Sequence, residues 1–141
     1  MCYNYPSTRS FFNKDNLTNM SAVLIVDDDL SQLELFGTVF RNKGFSVITA
    51  ESGHEGLKMA RERHPDLILL DIAMPGMDGL ECLKQLRADP VIKDLKVLLM
   101  TTLTRPGLAE EVVKSGANDF VMKTDLTPGQ LVERARKLIK N

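Results

Sequence analysis

Carboxylates and a lysine stand directly behind short apolar runs in this chain. Asp27-Asp28-Asp29 follow AVLIV (22–26), Asp71 follows LILL (67–70), Thr101-Thr102 follow VLLM (97–100), and Lys123 follows FVM (120–122). If the runs are strands of one parallel sheet, these residues share one edge of it, beyond the strand carboxyl ends where such sheets bind ligands. Three or four carboxylates converging there repel one another, and a hard divalent cation among their oxygens relieves the repulsion. Mg2+ suits an all-oxygen donor set, with Mn2+ as the alternative. A carboxylate held beside such a cation and an ammonium can attack a phosphoryl group, because the cations neutralise charge spread over its equatorial oxygens. A threonine hydroxyl such as that of Thr101 can donate to one of those oxygens. The set therefore reads as an aspartyl-phosphate site, with acids for the metal, one acid as nucleophile, and lysine and threonine as clamps on the phosphoryl group. Singly, each residue has a plainer role: an Asp run or Asp71 caps a turn, a threonine suits a strand, and a lysine suits the surface. Independent caps have no reason to fall on one edge, and that coincidence favours a shared site.

The elements that must position these groups follow from the apolar pattern. Five runs, Ala22–Val26, Phe45–Ala50, Leu67–Leu70, Val97–Met100 and Phe120–Met122, predict five strands. Three are continuously apolar rather than alternating, as strands covered on both faces by helices are, so parallel pairing is expected. Leu33, Phe36 and Phe40 share a face of a first helix that opens with Ser31-Gln32-Leu33-Glu34, a capping-box sequence, and stops at Lys43-Gly44. Segments 53–63, 78–87 and 106–115 are expected to be helical, ended by His64-Pro65, Asp89-Pro90 and Gly116. The last helix starts at Thr127-Pro128-Gly129-Gln130, a cap with proline at the first helical position, and aligns Leu131, Ala135 and Leu138. Strand–helix alternation over about 120 residues predicts an α/β fold, a doubly wound five-stranded parallel sheet in three α/β/α layers with right-handed crossovers. Residues 1–20, rich in Asn, Ser and Thr without apolar period, are expected to form an irregular N-terminal extension. The domain then occupies 21–141, with no second domain.

Composition narrows the functional classes. The chain has 141 residues, 43% hydrophobic and 26% charged, which fits a globular protein rather than a disordered, collagen-like or disulfide-stapled one. Eighteen Lys plus Arg against 19 Asp plus Glu leave a net charge of −1, no electrostatic footprint for nucleic acid or an anionic membrane. No apolar stretch is long enough to span a membrane, and residues 1–20 lack the apolar core of a signal peptide. Cys2 and Cys82 show no CxxC spacing and are too few for a disulfide framework, so a reducing, cytoplasmic location is expected. Cys82 reads as a packing residue, and His54 and His64, in polar connections, are assigned no chemistry. Neither GxxxxGK[ST] nor GxGxxG occurs, so nucleotide-phosphate cradles have no support.

Residues 65–79, PDLILLDIAMPGMDG, resemble the phosphoacceptor strand and loop of the receiver domains of two-component response regulators, nearly residue for residue. Val26-Asp27-Asp28, Met100-Thr101 and Met122-Lys123 match the family's remaining site motifs in order and spacing, and the resemblance runs from 22 to 140. The family's simplest form is the single-domain chemotaxis response regulator, and the resemblance implies its flavodoxin-like strand order 2-1-3-4-5. It implies Asp71 as phosphoacceptor, and Asp28, Asp71 and the backbone carbonyl of Ala73 as Mg2+ ligands, with Asp27 a ligand through water. Thr101 would bind the phosphoryl group when its loop moves inward, Lys123 would form the ion pair, and Phe120 occupies the switch-aromatic position. The implied donor is a phosphohistidine on a sensor histidine kinase or histidine phosphotransfer protein, the receiver itself catalysing the transfer as a signalling phosphoacceptor rather than an enzyme. With no output domain expected, the signal would leave by the fourth helix, fifth strand and fifth helix toward a downstream protein target. A monomer or a weak phosphorylation-dependent homodimer is expected, with no nucleic-acid or membrane partner.

Some positions depart from the family pattern. Lys123 is followed by Thr124-Asp125 where the family usually has a cis proline; a cis bond before threonine costs roughly 2.5–4 kcal/mol, so trans is expected. Phe120 replaces the commoner tyrosine, keeping aromatic packing and losing any hydroxyl contact. Ala73 and Leu103, two residues after Asp71 and Thr101, flank the place of the hydrolytic water in the family, and neither side chain can position it. Slow self-dephosphorylation is therefore expected. Two rival functions use the same residues. A haloacid-dehalogenase-type phosphatase would use Asp27-Asp28-Asp29 as its Asp-x-Asp motif, but about 120 residues leave little room for its cap. A non-phosphorylated pseudo-receiver interaction module is supported by Thr124 and opposed by the retained Asp27, Asp28, Asp71, Thr101 and Lys123.

Overall fold

The computed structural model describes residues 21–140, so the expected extension 1–20 lies outside the described residues. The apolar runs form β1 (Ala22–Val26), β2 (Ser46–Ala50), β3 (Leu67–Asp71), β4 (Val97–Thr101) and β5 (Asp119–Met122). All neighbours pair in parallel, in the order β2-β1-β3-β4-β5. β3 and β4 are buried along their whole length, whereas β2 and β5 at the edges are partly exposed. This is why the central runs read as continuously apolar.

Side chains alternate between the two faces of each strand, so each run feeds two cores. Val23, Ile25, Leu67, Leu69, Leu98 and Met100 meet Leu33, Phe36, Phe40, Leu131 and Ala135, from α1 (Leu30–Asn42) and α5 (Pro128–Lys140). Leu24, Val26, Ile68, Leu70, Val97 and Leu99 meet the other layer: α2 (Gly53–Arg63), α3 (Gly79–Ala88) and α4 (Leu108–Ser115). The result is the expected doubly wound α/β/α sandwich. Among the described residues no helix is long and apolar enough to cross a membrane.

The helix starts differ from expectation at two places. The capping box at Ser31 does not form: Asp29 is the cap of α1, its Oδ1 accepting from Ser31 N at 2.9 Å and from the Ser31 hydroxyl at 2.6 Å. Asp29 already has extended backbone, and an ionised carboxylate outcompetes a hydroxyl as acceptor. α4 starts at Leu108 rather than 106, because Gly107 lies in the left-handed region at φ 82°. The expected box does form at α5, where Thr127 Oγ1 accepts from Gln130 N at 3.1 Å and Gln130 Oε1 accepts from Thr127 N at 2.8 Å. Strand boundaries shift slightly: β2 begins one residue later than its run, and β3 and β4 extend to include Asp71 and Thr101.

Candidate functional site

β1 is followed by β2 on one side and β3 lies on its other side, so the connections diverge at the carboxyl ends of β1 and β3 and leave a crevice there. Asp27 follows β1 and Asp71 ends β3, placing one carboxylate on each wall. Both are buried, at 1% and 5% exposure, while Asp28 reaches solvent. Lys123 follows β5 and crosses to both: its Nζ donates to Asp27 Oδ2 at 2.7 Å and lies 3.5 Å from Asp71 Oδ2. Backbone bonds set these positions. Lys123 N donates to Thr101 O at 2.9 Å, Ile72 N to Met100 O at 3.1 Å, and Asp27 N to Ala50 O at 3.1 Å.

The remaining oxygens are partly engaged. Asp27 Oδ1 accepts from Asp29 N at 3.0 Å, and Asp71 Oδ1 accepts from Ala73 N at 3.2 Å. The loop after β3 is tight enough to require glycine at its end, since a Cβ on Gly79 would stand 2.3 Å from Asp71 O. Burial pushes the Asp71 carboxyl up to about 6; the Lys123 ammonium opposes the shift and the Asp27 carboxylate adds to it. One carboxylate oxygen each from Asp27, Asp28 and Asp71 lie within 4.8 Å of one another. Such a set of hard, anionic donors fits Mg2+. The carboxylates and Lys123 line an open cleft of about 520 Å3.

Of the residues singled out in the sequence, Asp27, Asp28, Asp71, Ala73 and Lys123 meet at this cleft. Thr101 does not line it: the side chain is fully buried and its Oγ1 accepts from Leu103 N at 3.0 Å. Phe120 is half-buried and packs with Leu103 against the α2–α3–α4 core. Among the described residues there is no cis peptide bond, so Lys123–Thr124 is trans. Cys82 is buried, its Sγ 3.7 Å from Gly53 O, and burial pushes its thiol up to about 11, which makes it a packing residue and not a nucleophile. His54 and His64 are exposed, and His64 ends α2 at φ 44°.

Gln32, Thr102 and Thr124 also line the cleft, and sequence reasoning gave none of them a role there. Gln32 lies one turn before Phe36, a spacing that helical periodicity could have revealed. Thr102 follows Thr101 directly, and nothing local says which of two successive threonines faces the cleft.

The comparisons agree with this architecture. Residues 23–136 match the family of response regulator receiver domains. The DNA-binding response regulator MtrA of Mycolicibacterium smegmatis is 36% identical over 123 residues, 87% of this chain and 52% of its own length. The chain thus spans about half the length of that relative. The polar-differentiation response regulator DivK of Brucella ovis is 35% identical over 107 residues, 76% of this chain and 87% of its own. Among solved structures, the chemotaxis response regulator CheY4 of Vibrio cholerae superposes with a TM-score of 0.76 at 31% identity, covering 84% of this chain and 98% of that one. The receiver domain of a Francisella response regulator gives a TM-score of 0.77 at 29% identity, covering 85% and 97%. Sequence and fold agree on one family, and the chain belongs to the response regulator receiver domains.

Proposed function

We propose that this chain is a cytoplasmic response regulator whose receiver unit, within residues 21–141, accepts a phosphoryl group on Asp71 from a phosphohistidine of a sensor kinase or phosphotransfer protein. The observation that carries the reading is the Lys123 ammonium set between two buried carboxylates, 2.7 Å from Asp27 and 3.5 Å from Asp71, with Asp28 open to solvent beside them. In the transfer, an Oδ of Asp71 forms the new P–O bond as the donor's P–N bond breaks and the imidazole leaves. Asp71 is largely ionised at neutral pH despite a pKa near 6. Asp28, Asp71 and the Ala73 carbonyl would hold Mg2+, with Asp27 contributing through water. When bound, the ion neutralises charge on the phosphoryl oxygens. Lys123 holds a second positive charge at the same place, and its hold on Asp27 keeps it in the cleft.

Thr101 supplies the switch. Its hydroxyl exchanges the Leu103 N–H contact for a phosphoryl oxygen, which draws the β4–α4 loop inward and changes the packing of Phe120. The α4–β5–α5 surface then differs between the two states and is read by a downstream protein, or by a second copy in a weak dimer. Phosphorylation shifts that equilibrium only through the contacts it makes in one state and not the other. Ala73 and Leu103 offer no polar group to position a hydrolytic water, so the phospho-form decays slowly; decay within seconds in Mg2+ would overturn that part.

Intact-protein mass after incubation with acetyl phosphate, with and without Mg2+, tests the reading on wild type and Asp71→Asn. The expected result is a Mg2+-dependent gain of one phosphoryl group that Asp71→Asn lacks. No gain under any condition would leave a pseudo-receiver that binds partners without being phosphorylated, and continuous phosphate release would point to a phosphatase.

A further inference from the structure

Leu80, Lys84 and Arg87 stand at i, i+4 and i+7 on α3 and form one stripe along its flank, beside the buried Cys82, Leu83 and Leu86. On α4, Glu111, Lys114 and Ser115 form a matching stripe. At about 100° per residue they lie to one side of the buried Leu108 and Val112, and Ala109 and Val113 lie to the other. The two stripes border an open groove of about 430 Å3 between the helices. None of these residues lines the Asp71 cleft, and the groove is on the opposite flank of α4 from Val113.

The walls of the groove are tied together. Arg87 Nε and Nη2 donate to Gly116 O at 3.1 and 2.9 Å, and Nη2 also donates to Asn118 Oδ1 at 3.0 Å. Nη1 donates to Lys93 O and Leu95 O, both at 2.7 Å. All five guanidinium N–H groups are thereby used, joining α3 to the end of α4. Leu108 and Val112 seat α4 on the same core that α3 covers.

Charge in the groove is one-sided. Arg87 is spent on these acceptors, and Glu111 on its ion pair with Arg105. Lys84 and Lys114 are exposed, and among the described residues neither has a hydrogen bond or an ion pair. One free ammonium thus stands on each wall, above the apolar surface of Leu80, which is half-buried against the core.

We propose that this groove is a docking site for an acidic amphipathic helix of a partner protein, which sets an apolar residue on Leu80 and carboxylates on Lys84 and Lys114. Two helical walls with no free strand edge suit a third helix laid between them. Free cations without a free anion select negative charge. A second copy of this chain, docked groove to groove about a two-fold axis, would bring the same lysines together, and their repulsion opposes it. Nucleic acid needs a longer basic stripe than two lysines on a chain of net charge −1.

The test uses the unphosphorylated, metal-free chain, isotope-labelled for NMR, so it does not depend on the role of Asp71. The probe is an end-capped synthetic helix of about 15 residues, with a leucine stripe and glutamates three or four positions to either side. Amide shifts at 80–87 and 111–116 are expected, and replacing the glutamates by glutamine is expected to weaken binding at least about tenfold. Lys84→Glu combined with Lys114→Glu is expected to lose the glutamate peptide to the same extent and to gain a lysine version of it. Circular dichroism checks the fold of this variant; if it is unfolded, the two peptides on wild type decide alone. No shifts in the groove at about 1 mM peptide, equal binding of the glutamine peptide, or shifts centred on Val113 and β5 would overturn the proposal. So would sedimentation showing a dimer that the double variant abolishes, because the groove would then belong to a second copy.

Discussion

At the scale of single residues, Asp71 is held in an environment that disfavours its own charge. Burial is the largest cause of its raised pKa of about 6, with Lys123 opposing and Asp27 adding. In the unfolded chain the same carboxyl titrates near 3.8, so between the two values the folded protein binds the extra proton. The stability this contributes is full below the unfolded value and is lost as pH rises through about 6. Asp71→Asn removes the ionised group and is expected to stabilise the metal-free protein by roughly 1 kcal/mol near neutral pH, after allowance for screening in an open cleft, and by little in mild acid. Thermal melts at the two pH values check this; an equal gain at both would mean that charge is not the cause. Lys123→Ala removes the cation from Asp27, which is 1% exposed. The expected cost is about 2–3 kcal/mol of stability, read by urea denaturation, together with a fall of about a hundredfold in phosphoryl uptake, read by intact mass over time.

At the scale of elements, strand ends and helix starts do most of the positioning. α3 begins where β3 ends, close enough that Gly79 touches the carbonyl of Asp71. Gly79→Ala is expected to destabilise by about 1–3 kcal/mol and to slow uptake by displacing the end of β3 at Asp71 and the loop that carries Ala73. A variant with wild-type stability and uptake would show that the loop yields freely. The cap of α1 gives a sharper comparison. Asp29→Ala should cost about 1 kcal/mol and Ser31→Ala only a few tenths, because Asp29 is the residue that holds the first turn. The reverse order in urea midpoints would restore Ser31 as the cap. That assignment was beyond local reading: Asp29, Ser31 and Glu34 each satisfy a capping pattern, and the choice rests on which residue leaves β1 with extended backbone.

At the scale of the whole molecule, the sheet divides two cores that meet only through the strands, and β3 at its centre contributes to both. Leu69→Ala, at 0% exposure, is expected to cost about 3 kcal/mol in a single cooperative transition. On the proposed output face, the apolar side chain of Val113 stands 83% exposed. Val113→Asp should weaken phosphorylation-dependent association in sedimentation experiments and leave uptake unchanged; unaltered association would place the output surface elsewhere. The apolar runs and helical periods by themselves determined the number and kind of elements, because strand burial and helix amphipathicity are written in neighbouring residues. They also determined that Asp27, Asp28, Asp71 and Lys123 would meet, because parallel strands bring all their carboxyl ends to one edge. Only the tertiary structure decided that Thr101, the last residue of β4, is buried against Leu103 N while Thr102, just beyond the strand, lines the cleft, since which of the two faces the cleft depends on the neighbouring strands. It alone decided the raised pKa of Asp71, which comes from burial and from charges on β1 and after β5. Likewise it decided the five bonds of Arg87, one of them to Asn118, 31 positions downstream. Such effects depend on distances between residues far apart in the chain, and those distances exist only once the sheet has closed the two cores around it.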